Sequence, residues 1–141
     1  MSLMNRFKTN KDAEVDGIWN QFDEEFRVKI ARTSVNNITY TKAMEKAIKP
    51  FRRTMDLISN EMSTSILRDV YSRTIVLGWQ TKVAGTWEDG IDMDGTGLVE
   101  VSPTNIRLVF DEMPDLFSAI QAIADDAAMF RQSNLEKEAK N

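Results

Sequence analysis

The sequence predicts a mainly α, α+β fold: an N-terminal β-hairpin packed on a bundle of about four to five helices, with a glycine-rich loop between the two helical halves. Three observations predict it. Phe26, Val28 and Ile30 alternate with Arg27 and Lys29, the period of a half-buried strand. Met44, Ile48, Phe51, Met55, Ile58 and Met62 fall at i, i+4, i+7, i+11, i+14 and i+18, one stripe of a helix. Five of the six glycines (Gly78, Gly85, Gly90, Gly95 and Gly97) lie in one segment, which argues against regular structure there.

Residues 1–14 are polar and poorly patterned and read as a flexible arm, followed by a single helical domain over 15–131 and a polar, flexible tail over 132–141. Within the domain, Ile18–Phe22 and Phe26–Arg32 form the hairpin, turning at Asp23-Glu24-Glu25. A lone hairpin is marginal in water, so it must lie on helices. From Thr41 the period becomes helical. Pro50 must kink or restart that helix, Ser59-Asn60 breaks it, and a further run extends from Ser63 to Leu77, ended by Gly78. Trp79 to Val101 reads as loop, with Leu98–Val101 as one short strand. Ser102-Pro103 is a helix start, with Ser as N-cap and Pro at the first helical position; Ile106, Val109, Phe110 and Met113 make its apolar face. Pro114 closes it. Asp115 opens the last helix, with Leu116, Ile120, Ile123, Ala127 and Phe130 on one side.

Composition narrows the chemistry. The chain has 141 residues, no Cys and no His. Thiolate nucleophiles, disulfides and zinc-thiolate sites are absent, as are the commonest metal ligand and the commonest general base. No catalytic, cofactor or metal residue is assigned, and the expectation is a non-enzymatic protein. No apolar run approaches the ~20 residues of a membrane span, and the first residues lack the apolar core of a signal peptide. A soluble, intracellular protein is therefore expected. The net charge of −4 is unevenly spread: residues 26–73 carry ten basic and four acidic side chains, residues 74–130 two basic and ten acidic. Such a chain can pack its halves together or meet a partner through either pole.

Several stretches invite sharper readings. Gly90–Glu100, "GIDMDGTGLVE", resembles a calcium loop, but with Gly95 as the sixth position the first is Gly90 and the twelfth Val101, leaving only Asp92 and Asp94 as good ligands. It also lacks the Lys-Ser/Thr pair of a phosphate loop. A turn accounts for these residues. Lys42, Lys46, Lys49 and Arg53 share one helical side, a basic contact face or simply a solvated one. Asp111-Glu112 and Asp125-Asp126 could pair carboxylates, yet no nucleophile accompanies them. Trp19 and Trp79 read as core or core edge, whereas Trp87, in the glycine-rich segment, suits a partner contact. Met44, Met55, Met62, Met113 and Met129 lie on or near helical faces, where thioethers fill an irregular core or accept a variable apolar partner.

One resemblance gathers these pieces. "FRVKIAR" (26–32), Asn36, Asn37 and Tyr40, "KPFRR" (49–53), "VLGW" (76–79), the D-x-D-G turn (92–95), "SPTN" (102–105), "MPDLF" (113–117) and "FR" (130–131), in that order, resemble the tail assembly chaperones of long-tailed, siphovirus-type bacteriophages. The segment between Trp79 and Asp92 is longer than the family pattern, with a "QTKVAGT" stretch. The resemblance implies a chaperone that binds the tape-measure protein and keeps it soluble before and during tail tube polymerisation. It implies the tape-measure protein as partner, with the tail tube protein and a longer frameshifted form as further ones. It also implies the host bacterial cytoplasm as location, and absence from the mature virion. No cofactor, membrane partner or nucleic-acid partner is expected, and a homo-oligomer stays open. The alternatives are a structural virion protein, such as a tail or head-tail connector subunit, and a nucleic-acid-binding module.

Overall fold

A computed structural model describes residues 2–139. The fold is α+β: the described residues form a four-stranded antiparallel sheet, a small second sheet and seven α-helices. The hairpin forms as expected, from β1 (Ile18–Gln21) and β2 (Phe26–Ile30). It is half of a sheet rather than the whole. β2 pairs antiparallel with β3 (Val76–Val83), which pairs with β4 (Thr86–Asp89), giving the order β1-β2-β3-β4.

The glycine-rich loop expected over 79–101 is therefore corrected. It is mostly sheet: β3 and β4, then the two-residue strands β5 (Ile91–Asp92) and β6 (Leu98–Val99). The glycines mark turns rather than irregular chain. Ala84 and Gly85 both have positive φ (51° and 83°) and close the β3–β4 hairpin in two residues. Two positive φ values match the turn to the strands' right-handed twist. Gly78, expected to end a helix, sits inside β3 with the Trp19 ring across it; a Cβ there would lie 3.3 Å from the ring.

α3 (Ile38–Ile48) is capped by the Asn37 side chain, α4 (Asn60–Thr74) by Ser59, and α5 (Pro103–Glu112) by Ser102, each accepting a backbone N–H three residues on. α5 starts at the expected Ser102 cap, whereas α3 and α4 start three residues earlier than expected from Thr41 and Ser63. α6 (Pro114–Asp125) begins with Pro114 in its first turn. The continuous stripe from Met44 to Met62 divides: after α3 the chain passes through two 3-10 turns, Lys49–Phe51 and Met55–Leu57, before α4 starts. Pro50 has no N–H to continue the ladder, which is the physical reason. The run expected to end at Leu77 ends at Thr74, because Val76 onward is claimed by β3.

Residues 3–14, read as part of an arm, instead fall in α1 (Leu3–Phe7) and α2 (Lys11–Asp16) and the link between them, and Glu14 of α2 is fully buried. Backbone bonds tie this segment to the far end of the chain: Asn10 N–H to Phe130 O at 2.8 Å and Gln132 N–H to Lys8 O at 2.9 Å. The expected tail starts as α7 (Gln132–Ala139). Residues 140 and 141 of the tail, and Met1 of the arm, lie outside the described residues. Among the described residues no helix is long and apolar enough to cross a membrane.

One face of the sheet supplies Val28, Ile30, Val76 and Trp79 to the core; Tyr71, Ile106, Val109, Phe110, Phe117 and Ile120 of α4, α5 and α6 meet them. Trp79 is buried, as a core tryptophan should be, and its indole N–H donates to Val99 O at 3.0 Å. That bond anchors the small sheet to the large one and satisfies the polar atom that burial would otherwise strand.

Candidate functional site

The predicted partner-contact residues divide by burial. Met44, Met113 and Met129 are half-buried, and Met113 packs against the core beside Met93. Met55 and Met62 are 49 % and 43 % exposed, and between them Leu57 is 83 % exposed. All three belong to the connection that leads from α3 into the first turn of α4. Sequence reasoning missed Leu57 because it lies off the helical stripe. The signal was Pro50: once the helix stops there, the stripe ceases to say which residues face inward.

The basic residues accompany them. Lys42, Lys46 and Lys49, at i, i+4 and i+7, are exposed along α3, and Arg52 and Arg53 are exposed in the connection. None makes an ion pair among the described residues, whereas Arg32, Arg68, Arg73 and Arg107 all do. Glu45, Asp56 and Glu61 are the exposed acids of the same stretch. Two separately predicted sets, Met55 with Met62 and the lysines with Arg53, are thus both exposed along one continuous stretch of chain.

Trp87 lies elsewhere, half-buried on β4 at the outer face of the sheet. The Arg27 guanidinium stands 4.4 Å from its ring centroid and 4.5 Å from that of Trp19 on β1. Gln80 Oε1 of β3 accepts from Arg27 Nε at 2.8 Å and from Nη2, and Gln80 Nε2 donates to Asp89 at 2.8 Å. Side chains from all four strands therefore interlock on this face. Each indole–guanidinium contact contributes about 0.5–1 kcal/mol at a partly exposed site. Arg27→Ala is accordingly expected to lower unfolding free energy by about 1–2 kcal/mol, read as a lower urea midpoint with an unchanged m-value.

The Asp-rich stretch is the tip of the β5–β6 hairpin. Asp92 Oδ1 accepts from Gly95 N–H at 2.7 Å, and Asp94 Oδ1 accepts from Thr96 N–H at 3.1 Å and from its hydroxyl. These bonds, the hydroxyl first, hold the Asp94 carboxyl below its usual range. Both carboxylates thus organise their own turn. Gly90, at φ 113°, begins it where a Cβ would come within 3.0 Å of Leu98 Cβ and 3.1 Å of Val99 O.

The other acidic pairs serve packing. Asp111 bonds Arg68 at 3.1 Å, and Asp126 caps the 3-10 turn that follows α6. Asp125 accepts from Thr33 and from the Tyr71 hydroxyl at 3.5 Å. Burial first, then the Asp125 charge, pushes both Tyr71 and Tyr40 above the ordinary tyrosine range. Among the described residues no cluster of three or more acidic side chains is placed to hold a metal ion.

No curated protein and no solved structure matches the chain. A family model does: the one described as YdaY prophage protein matches residues 35–141, from the loop before α3 through the basic and apolar connection and onward. With most of its length covered, the chain belongs to the YdaY prophage protein family and is a phage-derived protein.

Proposed function

We propose that this phage-derived protein is a tail assembly chaperone: it binds the tape-measure protein and keeps it soluble in the host cytoplasm before and during tail tube polymerisation, then leaves the particle. The observation that carries the reading is the exposure of Met55, Leu57 and Met62 on one chain connection, which the exposed cations Lys49, Arg52 and Arg53 precede. A contiguous apolar surface with a polar rim is the signature of a partner site. Covering each such side chain contributes about 1.5–3 kcal/mol before the cost of association. Three of them suit a hold that must later be released. Met adds adaptability, since its unbranched thioether repacks against different partners. The ordered motif series shared with tail assembly chaperones supports the same reading.

Co-expression with the tape-measure protein tests it. The client is expected to stay in the supernatant and to co-purify with this chain. Leu57→Asp should cut recovered client by at least about fivefold and leave the melting temperature unchanged, because that side chain touches solvent. A client equally soluble with and without this chain would sink the proposal, as would stoichiometric presence of the chain in purified particles, which would mark a structural virion protein.

A further inference from the structure

We propose that the partner segment seated on the surface from Lys42 to Met62 is an acidic amphipathic helix. This deepens the chaperone reading and rests on it: that reading requires an apolar client segment, and the added claim concerns the segment's charge.

Over this stretch five exposed cations (Lys42, Lys46, Lys49, Arg52 and Arg53) outnumber three exposed acids (Glu45, Asp56 and Glu61), in a chain whose total is −4. The three lysines repeat at helical spacing, Lys42 and Lys46 on α3 and Lys49 at its helical C-cap, so they form one row. Met55, Leu57 and Met62 supply apolar anchor points at the end of that row. A partner that satisfies both features needs an apolar stripe for the anchors and carboxylates beside it for the row. An amphipathic helix carries both, with apolar residues at i, i+3, i+4 and i+7 and acids on the flanks. A basic helix of equal apolarity would set like charges together, which costs binding and slows encounter. A nucleic acid would meet the cations and leave Leu57 and Met55 in water.

The row also suits a chaperone kinetically. Exposed charges attract over about 8–10 Å at physiological ionic strength, so they speed encounter more than they deepen the final complex. Apolar contacts then set the residence time. Fast capture with modest final affinity is what a transient client needs.

The test uses the full chain and two synthetic helical peptides of identical apolar stripe, one flanked by Glu and the other by Lys, followed by fluorescence anisotropy. The acidic peptide is expected to bind at least about tenfold more tightly, and to weaken at least about tenfold between low and high salt. The double variant Lys46→Glu/Arg53→Glu should reverse the preference; both side chains are exposed, so an unchanged melting curve verifies its fold. Equal, salt-insensitive binding of both peptides would overturn the charge inference and leave the chaperone reading standing. Neither peptide binding while the co-expressed client is still held would do the same. Tight, salt-sensitive binding of a single-stranded oligonucleotide or of anionic lipid vesicles in preference to the acidic peptide would overturn the inference as well. Failure of the client pull-down itself would remove the reading on which the inference rests.

Discussion

Arg32→Ala is expected to lower the unfolding free energy by about 3–5 kcal/mol. Its guanidinium is the charge partner of Glu14, whose side chain is 0 % exposed. Arg32 engages Glu14 Oε1; Oε2 has no hydrogen-bond partner among the described residues. Removing Arg32 leaves a buried carboxylate with neither a counter-charge nor water, the costly half of any buried pair. The damage would spread through the backbone, because this pair sits in a knot. Arg32 N–H donates to Glu14 O at 2.9 Å, and Asn37 Nδ2 donates to Glu14 O at 3.3 Å and to Arg32 O at 3.0 Å. Asn37 also caps α3. One cluster thus joins α2, the exit of β2 and the start of the helix that carries the basic row. For a domain of this size the loss corresponds to a melting point lower by roughly 10–15 °C. The double variant Glu14→Leu/Arg32→Met should recover most of it, since the apolar pair carries no desolvation penalty. An Arg32→Ala chain within about 1 kcal/mol of the parent, the range of an exposed ion pair, would refute this account.

Phe117→Ala is expected to cost a similar amount, about 3–5 kcal/mol. Phe117 is buried where α4, α5 and α6 meet: its ring lies 5.3 Å from that of Tyr71 at 82° and 4.6 Å from that of Phe110. The Arg68 guanidinium caps it at 5.5 Å, and Arg68 in turn bonds Asp111. Truncation removes the burial energy of the ring and opens a cavity that two other aromatic rings cannot close without leaving their rotamers. Phe117→Leu should lose only about 1 kcal/mol, since it keeps most of the volume. Urea denaturation with both variants reads the difference. A Phe117→Ala loss no larger than that of Phe117→Leu would mean that the junction collapses freely, contrary to its tight packing.

Much of this architecture was legible in the chain. The β2 alternation of Phe26, Val28 and Ile30 survives because strand period is a local property and the core selects one face of it. Ser102-Pro103 opened a helix as expected, because an N-cap acts within one turn. The stretch from Trp79 to Val101 misled for a related reason. Its glycines were read as loop by their density, whereas Gly85 and Gly90 are turn residues between strands. Ala84-Gly85 lacks the Asn or Asp that usually advertises such a turn.

The candidate surface was half legible. Lys42, Lys46 and Lys49 were visible as a helical row, while Leu57 was not visible at all, because its exposure depends on a chain that leaves the helix at Pro50.

By itself the amino-acid order determined the absence of cysteine and histidine chemistry, and also the strand and helix periods, the Ser102-capped start and the basic row, which depend on residues a turn or two apart. Only the tertiary structure decided that Glu14 is buried against Arg32 and that β3 and β4 complete the hairpin's sheet. Those outcomes depend on contacts between residues far apart in the chain, whose energies no local pattern records.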